Sequence, residues 1–267
     1  MTDTPVLTSD VVRTFTEAWH YMSSQYRDNL QTRDGPVRVT MSNTNCSFLN
    51  IVTIDSPLAD EAELREALTV ARRYADDCPH EAMLLVCPEW LPDDAQEAIE
   101  NAGLAFSMPM WGMAADRLAP PRREPPALDF RLAEDTATGR DLGTVNADAY
   151  GMAHEFFCVT EDLPGWRGKR FGIVGYDDDR AVTSTLAYPL GEEIYVAWVA
   201  TLPGLHGKGY AEAAMRRAIA DAQSACGEGR LWLHATEMGR PLYTAMGFAT
   251  GAEMHLYNFT DEKEEDQ

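Results

Sequence analysis

The segment 194–222, IYVAWVATLPGLHGKGYAEAAMRRAIADA, restricts what this chain can fold into more than any other stretch. Its first seven residues are apolar and rich in Val, Tyr and Trp, the composition of a buried strand. Pro203, Gly204, Gly207 and Gly209 then punctuate a loop. Beyond it Ala211, Ala214, Met215, Ala218, Ile219 and Ala222 recur at i, i+3, i+4, i+7, i+8 and i+11, the buried stripe of a helix over 208–224. Strand, glycine loop and helix start together leave backbone N–H groups converging on one point, to which the helix dipole adds about half a positive charge. The spacing predicts a backbone cradle for a phosphate-bearing ligand.

At 267 residues the chain is long enough for one large domain or two ordinary ones, and 45% hydrophobic content with six Trp excludes a disordered chain. No apolar run reaches the roughly 18–20 residues that span a bilayer, and the N-terminus lacks the basic-then-apolar order of a secretory signal. A cytoplasmic protein is expected. Cys46, Cys78, Cys87, Cys158 and Cys226 are odd in number and widely spaced, and the six His are equally scattered, so buried free thiols and no metal are expected. The net charge is −21, with three Lys beside 19 Arg. Such a field repels nucleic acid and anionic membranes and favours a cationic partner such as an amine. The acidic run 261–266 reads as a solvated tail.

Four prolines in the nine residues 118–126 form a linker that is neither helix nor central strand, and the domain boundary is placed at 126. Beyond it the pattern predicts a strand over 129–132, a helix over 135–149, helical turns over 152–158, a meander of strands over 171–176, 181–188 and 193–201, the helix 208–224, a strand over 231–236, a short helix over 240–246 ending at Gly247, and a strand over 252–259. Before it, a helix over 9–26 capped by Ser9 or Asp10 precedes strands at 37–41 and 48–54, a helix at 61–74, a strand at 82–86, a helix at 93–101 and a strand at 104–114. The halves read as copies: Pro57 and Pro203, Leu84 and Leu231, and Gly103 and Gly247 recur at nearly one interval and in one order. Where the second half reads Leu205-His206-Gly207-Lys208-Gly209-Tyr210-Ala211, the first reads Leu58-Ala59-Asp60-Glu61-Ala62-Glu63-Leu64. Without glycine and with three carboxylates, the first copy cannot admit a phosphate.

Three phosphate loops compete for 199–211. A Walker loop needs Ser or Thr after its Gly-Lys, but Gly209 follows Gly207-Lys208. The dinucleotide fingerprint needs a third glycine, where this chain has Glu212. Residues 199–211 instead resemble the pyrophosphate loop of the GNAT superfamily of acetyl-CoA-dependent N-acetyltransferases, a strand ending V-x-x, a proline, then Q/R-x-x-G-x-G/A opening a helix. Gly209 and Ala211 fit the last two marks, while His206 stands where the family usually has Gln or Arg. The segment Leu242-Tyr243-Thr244-Ala245-Met246-Gly247-Phe248 resembles the family's L-Y-x-x-x-G-F motif. The likeness covers 128–260.

The resemblance implies an α/β fold with a mixed α+β sheet, in two GNAT-type domains, each a twisted, mostly antiparallel sheet flanked by helices. These are a degenerate domain over 1–126, a catalytic one over 127–260 and the tail 261–267. It implies acetyl-CoA as acyl donor, no metal, and direct attack by an amine, with strand 193–201 splayed from 231–236. Val199, Ala200, Thr201, His206, Gly207, Lys208, Gly209, Tyr210, Ala211 and Thr236 fall on the positions that hold CoA, Thr236 where relatives carry Asn. Tyr243 matches the general acid, and a phenol with pKa near 10 suits a thiolate leaving group. Glu155 is the first choice of general base, with Glu193, His234 or a water chain behind it. Trp166, Trp198, Tyr195 and Phe156 are candidates for the acceptor pocket, and Cys158 is set aside as an acyl-accepting nucleophile. The acceptor expected is a small primary amine, with neither nucleic acid nor membrane as partner and a monomer or homodimer as the assembly. A non-catalytic acyl-CoA-binding module, or an interaction protein working through its first half, is the competing reading.

Overall fold

The computed structural model describes residues 4–161 and 169–260, with side chains throughout except at 158–161. Trp166, the side chain of Cys158 and the tail 261–267 lie outside the described residues. The chain forms two compact units. One gathers 5–113, 234–240 and the strand from 250 onward; the other gathers 114–233 and 241–249, with Thr4.

The first unit opens with α1 (Thr8–Ser23), which begins a residue earlier than the caps expected at Ser9 or Asp10 and has Leu7 at its N-cap. Val11, Phe15, Ala18, Trp19 and Met22 recur on one face and are buried. Strand β1 (Leu30–Asp34), which the polar sequence LQTRD conceals, pairs antiparallel with β2 (Val37–Met41) through a turn at Gly35 with φ +59°. β2 pairs antiparallel with β3 (Asn50–Ile54), and α2 (Glu61–Asp77) carries the chain to β4 (Met83–Val86), which lies parallel to β3. α3 (Ala95–Asn101) and β5 (Leu104–Ala115) follow.

The second unit repeats this plan. After β6 (Asp129–Leu132) comes α4 (Thr136–Tyr150), started by a capping box in which Asp135 accepts from the Thr138 amide and stopped by left-handed Gly151. A 3-10 stretch, His154–Glu161, leads to the antiparallel meander β7 (Phe171–Asp177), β8 (Arg180–Leu190) and β9 (Glu193–Thr201). α5 (Tyr210–Cys226) then crosses to β10 (Leu231–Ala235), parallel to β9, and α6 (Arg240–Ala245) precedes β11 (Ala249–Phe259). In both halves an antiparallel meander, a crossover helix and a parallel strand follow in order. Each joins two parallel strands through a helix, a βαβ unit.

The linear division at 126 is not how the contacts fall. β11 pairs antiparallel with β4, through His255↔Val86 to Asn258↔Met83, and Tyr257 is buried in the core of the first unit beside Leu64, Leu68 and Leu84. A strand after a glycine turn can pair with any free edge, and nothing local in its sequence states which.

Candidate donor site

The loop between β9 and α5 is built as its glycines require. Gly204, Gly207 and Gly209 take φ of +81°, +78° and +83°, values that cost an L-residue strain. Gly209 is the N-cap of α5 and offers no side-chain acceptor, so the first-turn N–H groups of Tyr210 and Ala211 face outward without a side-chain cap. The equivalent start in the first half is closed. Asp60 caps α2, its carboxylate accepting from the Glu63 amide at 3.0 Å, while Glu63 accepts from the Ala59 amide at 2.8 Å. Two carboxylates there occupy the donors that a phosphate would use. His206 is exposed, and its Nε2 within 2.9 Å of the Thr201 carbonyl pins the loop to the strand end. Lys208 Nζ lies 5.7 Å from the centre of the Tyr210 ring.

β9 is distorted where it matters. Its register against β8 shifts between Ser184 and Leu186, so Trp198 and Val199 together face Thr185, a β-bulge. Trp198 has φ +52°, a conformation that costs a bulky residue on the order of 1–3 kcal/mol. On the opposite edge, pairing with β10 runs through Leu231↔Ile194 and Trp232↔Tyr195 and goes no further. The backbone of 196–201 thereby lies beyond the β10 ladder on that side. Thr183 Oγ1 donates to the Ala200 carbonyl at 2.7 Å and meets Thr201 Oγ1 at 2.9 Å, holding the strand end. Thr185 Oγ1, facing the bulge, is fully buried with no hydrogen-bond partner among the described residues.

One tyrosine bonds this strand, and a second lies near the first. Tyr150, at the end of α4, is exposed and donates from its hydroxyl to the Val199 carbonyl at 2.9 Å. Tyr243, on α6, is buried with its ring edge-on to Phe248. Its pKa is raised far above the ordinary phenol value, chiefly by burial and secondarily by the neighbouring Tyr150. Glu155 lies exposed on the 3-10 stretch. Phe157 of the same stretch packs edge-on against Trp198 at 5.5 Å, which brings the stretch to the bulge, and Phe156 beside it is half-buried.

Other expected positions fall elsewhere. Tyr195 is core, packed against Tyr188. Glu193 accepts from Trp232 Nε1 at 2.8 Å at the far end of β9, about 20 Å of strand from Val199. His234 belongs to the first unit, with Nε2 3.0 Å from the Val11 carbonyl, and burial lowers its pKa to about 3. The imidazole is therefore neutral at neutral pH and a weak proton acceptor. Thr236 lies just beyond β10, in the first unit, and its carbonyl accepts from the Gly239 and Arg240 amides. Cys46 and Cys87 are buried thiols, whereas Cys78 is half-buried and Cys226 is exposed at the end of α5, contrary to the expectation of burial. Among the described residues no cluster of His, Cys, Asp and Glu is placed to hold a metal, and no helix is long and apolar enough to cross a membrane. The sequence reading missed Tyr150, Thr185 and Arg123; each acts across the fold, where spacing gives no signal.

A short parallel ladder, a bulge and an uncapped glycine loop thus lie on one β-α-β unit. Residues 142–248 match the model of the Acetyltransferase (GNAT) family, so the chain carries a domain of that family. Solved structures agree in fold over nearly the whole length. A GCN5-related N-acetyltransferase from Kribbella flavida has a TM-score of 0.67 at 17% identity, covering 95% of this chain and 97% of that one. One from Sphaerobacter thermophilus gives 0.61 at 14%, covering 85% and 78%. A tandem GNAT protein from the clavulanic acid biosynthesis pathway gives 0.54 at 11%, covering 96% and 97%. Comparison with curated proteins returned no match.

Proposed function

We propose that this chain is an acetyl-CoA-dependent N-acetyltransferase that acetylates the primary amine of a small molecule by direct attack in a ternary complex. The observation that carries the reading is the end of β9–β10 pairing at Trp232↔Tyr195, beside the bulge at Trp198–Val199 and above the glycine loop. Acetyl-CoA supplies the activated acyl group. The loop amides from Gly207 to Ala211 hold its phosphates, and the released backbone of 199–201 orients the pantetheine arm and offers N–H groups to the thioester oxygen. Lys208 belongs to the same donor set.

Tyr243 is the donor toward sulfur. A phenol with a pKa raised by burial stays protonated throughout the neutral range but is a weak acid. Its contribution is therefore a hydrogen bond that strengthens as charge builds on sulfur, more than a proton released in advance. Glu155, exposed on the stretch that Phe157 fastens to the bulge, takes a proton from the substrate ammonium, directly or through water, so that the neutral amine attacks the thioester carbon. A net charge of −21 supports a cationic acceptor and a protein without nucleic-acid or membrane partners, acting in the cytoplasm as monomer or homodimer. The test is release of free CoA thiol from acetyl-CoA across a panel of small amines. Amine-dependent release is the expected result; binding of acetyl-CoA with no release for any amine would leave a non-catalytic acyl-CoA-binding module instead.

A further inference from the structure

Arg123 stands in the proline-rich linker, a segment the sequence presents as a spacer. The linker is in fact stitched down. The Ala119 amide donates to the Met246 carbonyl at 2.8 Å, and Arg216 of α5 donates to the Ala119 carbonyl at 2.7 Å. Gly247 is required beneath it, because a Cβ there would come within 2.9 Å of the Ala119 nitrogen. Four residues on, Arg123 reaches the glycine loop. Its Nη1 donates to the Gly207 carbonyl at 2.7 Å, and its Cδ lies 3.1 Å from where a Cβ on Gly209 would stand. Gly209 is thus bare on the side that the arginine stem covers.

From this we infer that Arg123 is a donor-binding residue supplied by the linker, a fixed guanidinium that pairs with a phosphate of the acyl donor at the loop. The inference rests on the donor assignment made above. A guanidinium has five N–H donors, and Arg123 uses one on Gly207. Among the described residues the others meet no protein acceptor, although the chain carries 43 Asp and Glu. An unsatisfied fork beside backbone N–H groups in a chain of net charge −21 is the local cation that a polyanionic ligand needs to approach. It also explains why a chain with Gly207-Lys208-Gly209 can dispense with the usual Gln or Arg at His206: the charge comes from outside the loop.

The experiment compares wild type, Arg123→Gln and Arg123→Lys, with equal thermal midpoints checked first. Each is titrated with acetyl-CoA and acetyl-dephospho-CoA, and turnover is followed with acetylpantetheine. Arg123→Gln is expected to weaken acetyl-CoA binding about tenfold and Arg123→Lys less, with kcat and acetylpantetheine turnover unchanged. The deficit is expected to shrink at about 1 M salt, where screening acts within ~3 Å. A deficit that persists with acetyl-dephospho-CoA places the arginine on the pyrophosphate, and one that disappears places it on the 3′-phosphate. Equal affinity of Arg123→Gln and wild type overturns the inference, as does an equal loss toward acetylpantetheine or a deficit insensitive to salt. No binding of acetyl-CoA by wild type would remove the donor reading itself, and this inference with it.

Discussion

A phenol enclosed by protein holds its proton more tightly than one in water, and this fixes what Tyr243 can do. Tyr243→Phe is expected to lower kcat at least about tenfold while KM for acetyl-CoA stays within twofold, because the hydroxyl acts on the charge that develops during the reaction. Steady-state kinetics with a saturating amine decide it, and unchanged kcat would remove Tyr243 from the mechanism. His234 makes the opposite statement. Its folded pKa of about 3 lies below the ordinary 6.5, so the unfolded chain takes up a proton first as pH falls. Stability from this group is complete above about pH 6.5 and is lost toward pH 3, at up to about 1.4 kcal/mol per pH unit. His234→Gln keeps a donor for the Val11 carbonyl, and urea unfolding between pH 7.5 and 4.5 should show a flatter decline than wild type. Parallel declines would mean that His234 is not the titrating group.

At the scale of elements, strand, loop and helix were legible because each has a local cause: β-rich apolar residues, glycines at positive φ, and an apolar stripe of period 3.6. Strand bounds at 129–132 and 193–201 agree to the residue with the structure. β1 was invisible because LQTRD lies at a sheet edge with little burial and so carries no alternation. The bulge at Trp198 was equally silent, since no glycine announces it and the strain is imposed by the neighbouring strands. Gly247 is the clearest element-scale test. With φ +99° and the Ala119 nitrogen 2.9 Å from a built Cβ, Gly247→Ala is expected to cost about 2 kcal/mol and to loosen the linker. An unchanged urea midpoint would contradict the close approach drawn here.

On the scale of the whole molecule, one order of elements is written twice, and the proposed function uses it once for the ligand. Element order and the parallel placement of β4 and β10 repeat, and the repeat was readable from Pro57/Pro203 and Gly103/Gly247. The destination of β11 was not, because pairing partners are a property of free edges and not of the strand's own sequence. What separates the halves is the start of a single helix: Asp60 and Glu63 close α2 with their own carboxylates, while Gly209 leaves α5 open. Titration calorimetry of acetyl-CoA into wild type and Gly209→Asp tests this directly. One molecule bound per chain, with binding abolished in the variant by bulk and charge, is the predicted result. Two molecules per chain, or wild-type affinity in Gly209→Asp, would contradict the assignment of the donor to this loop.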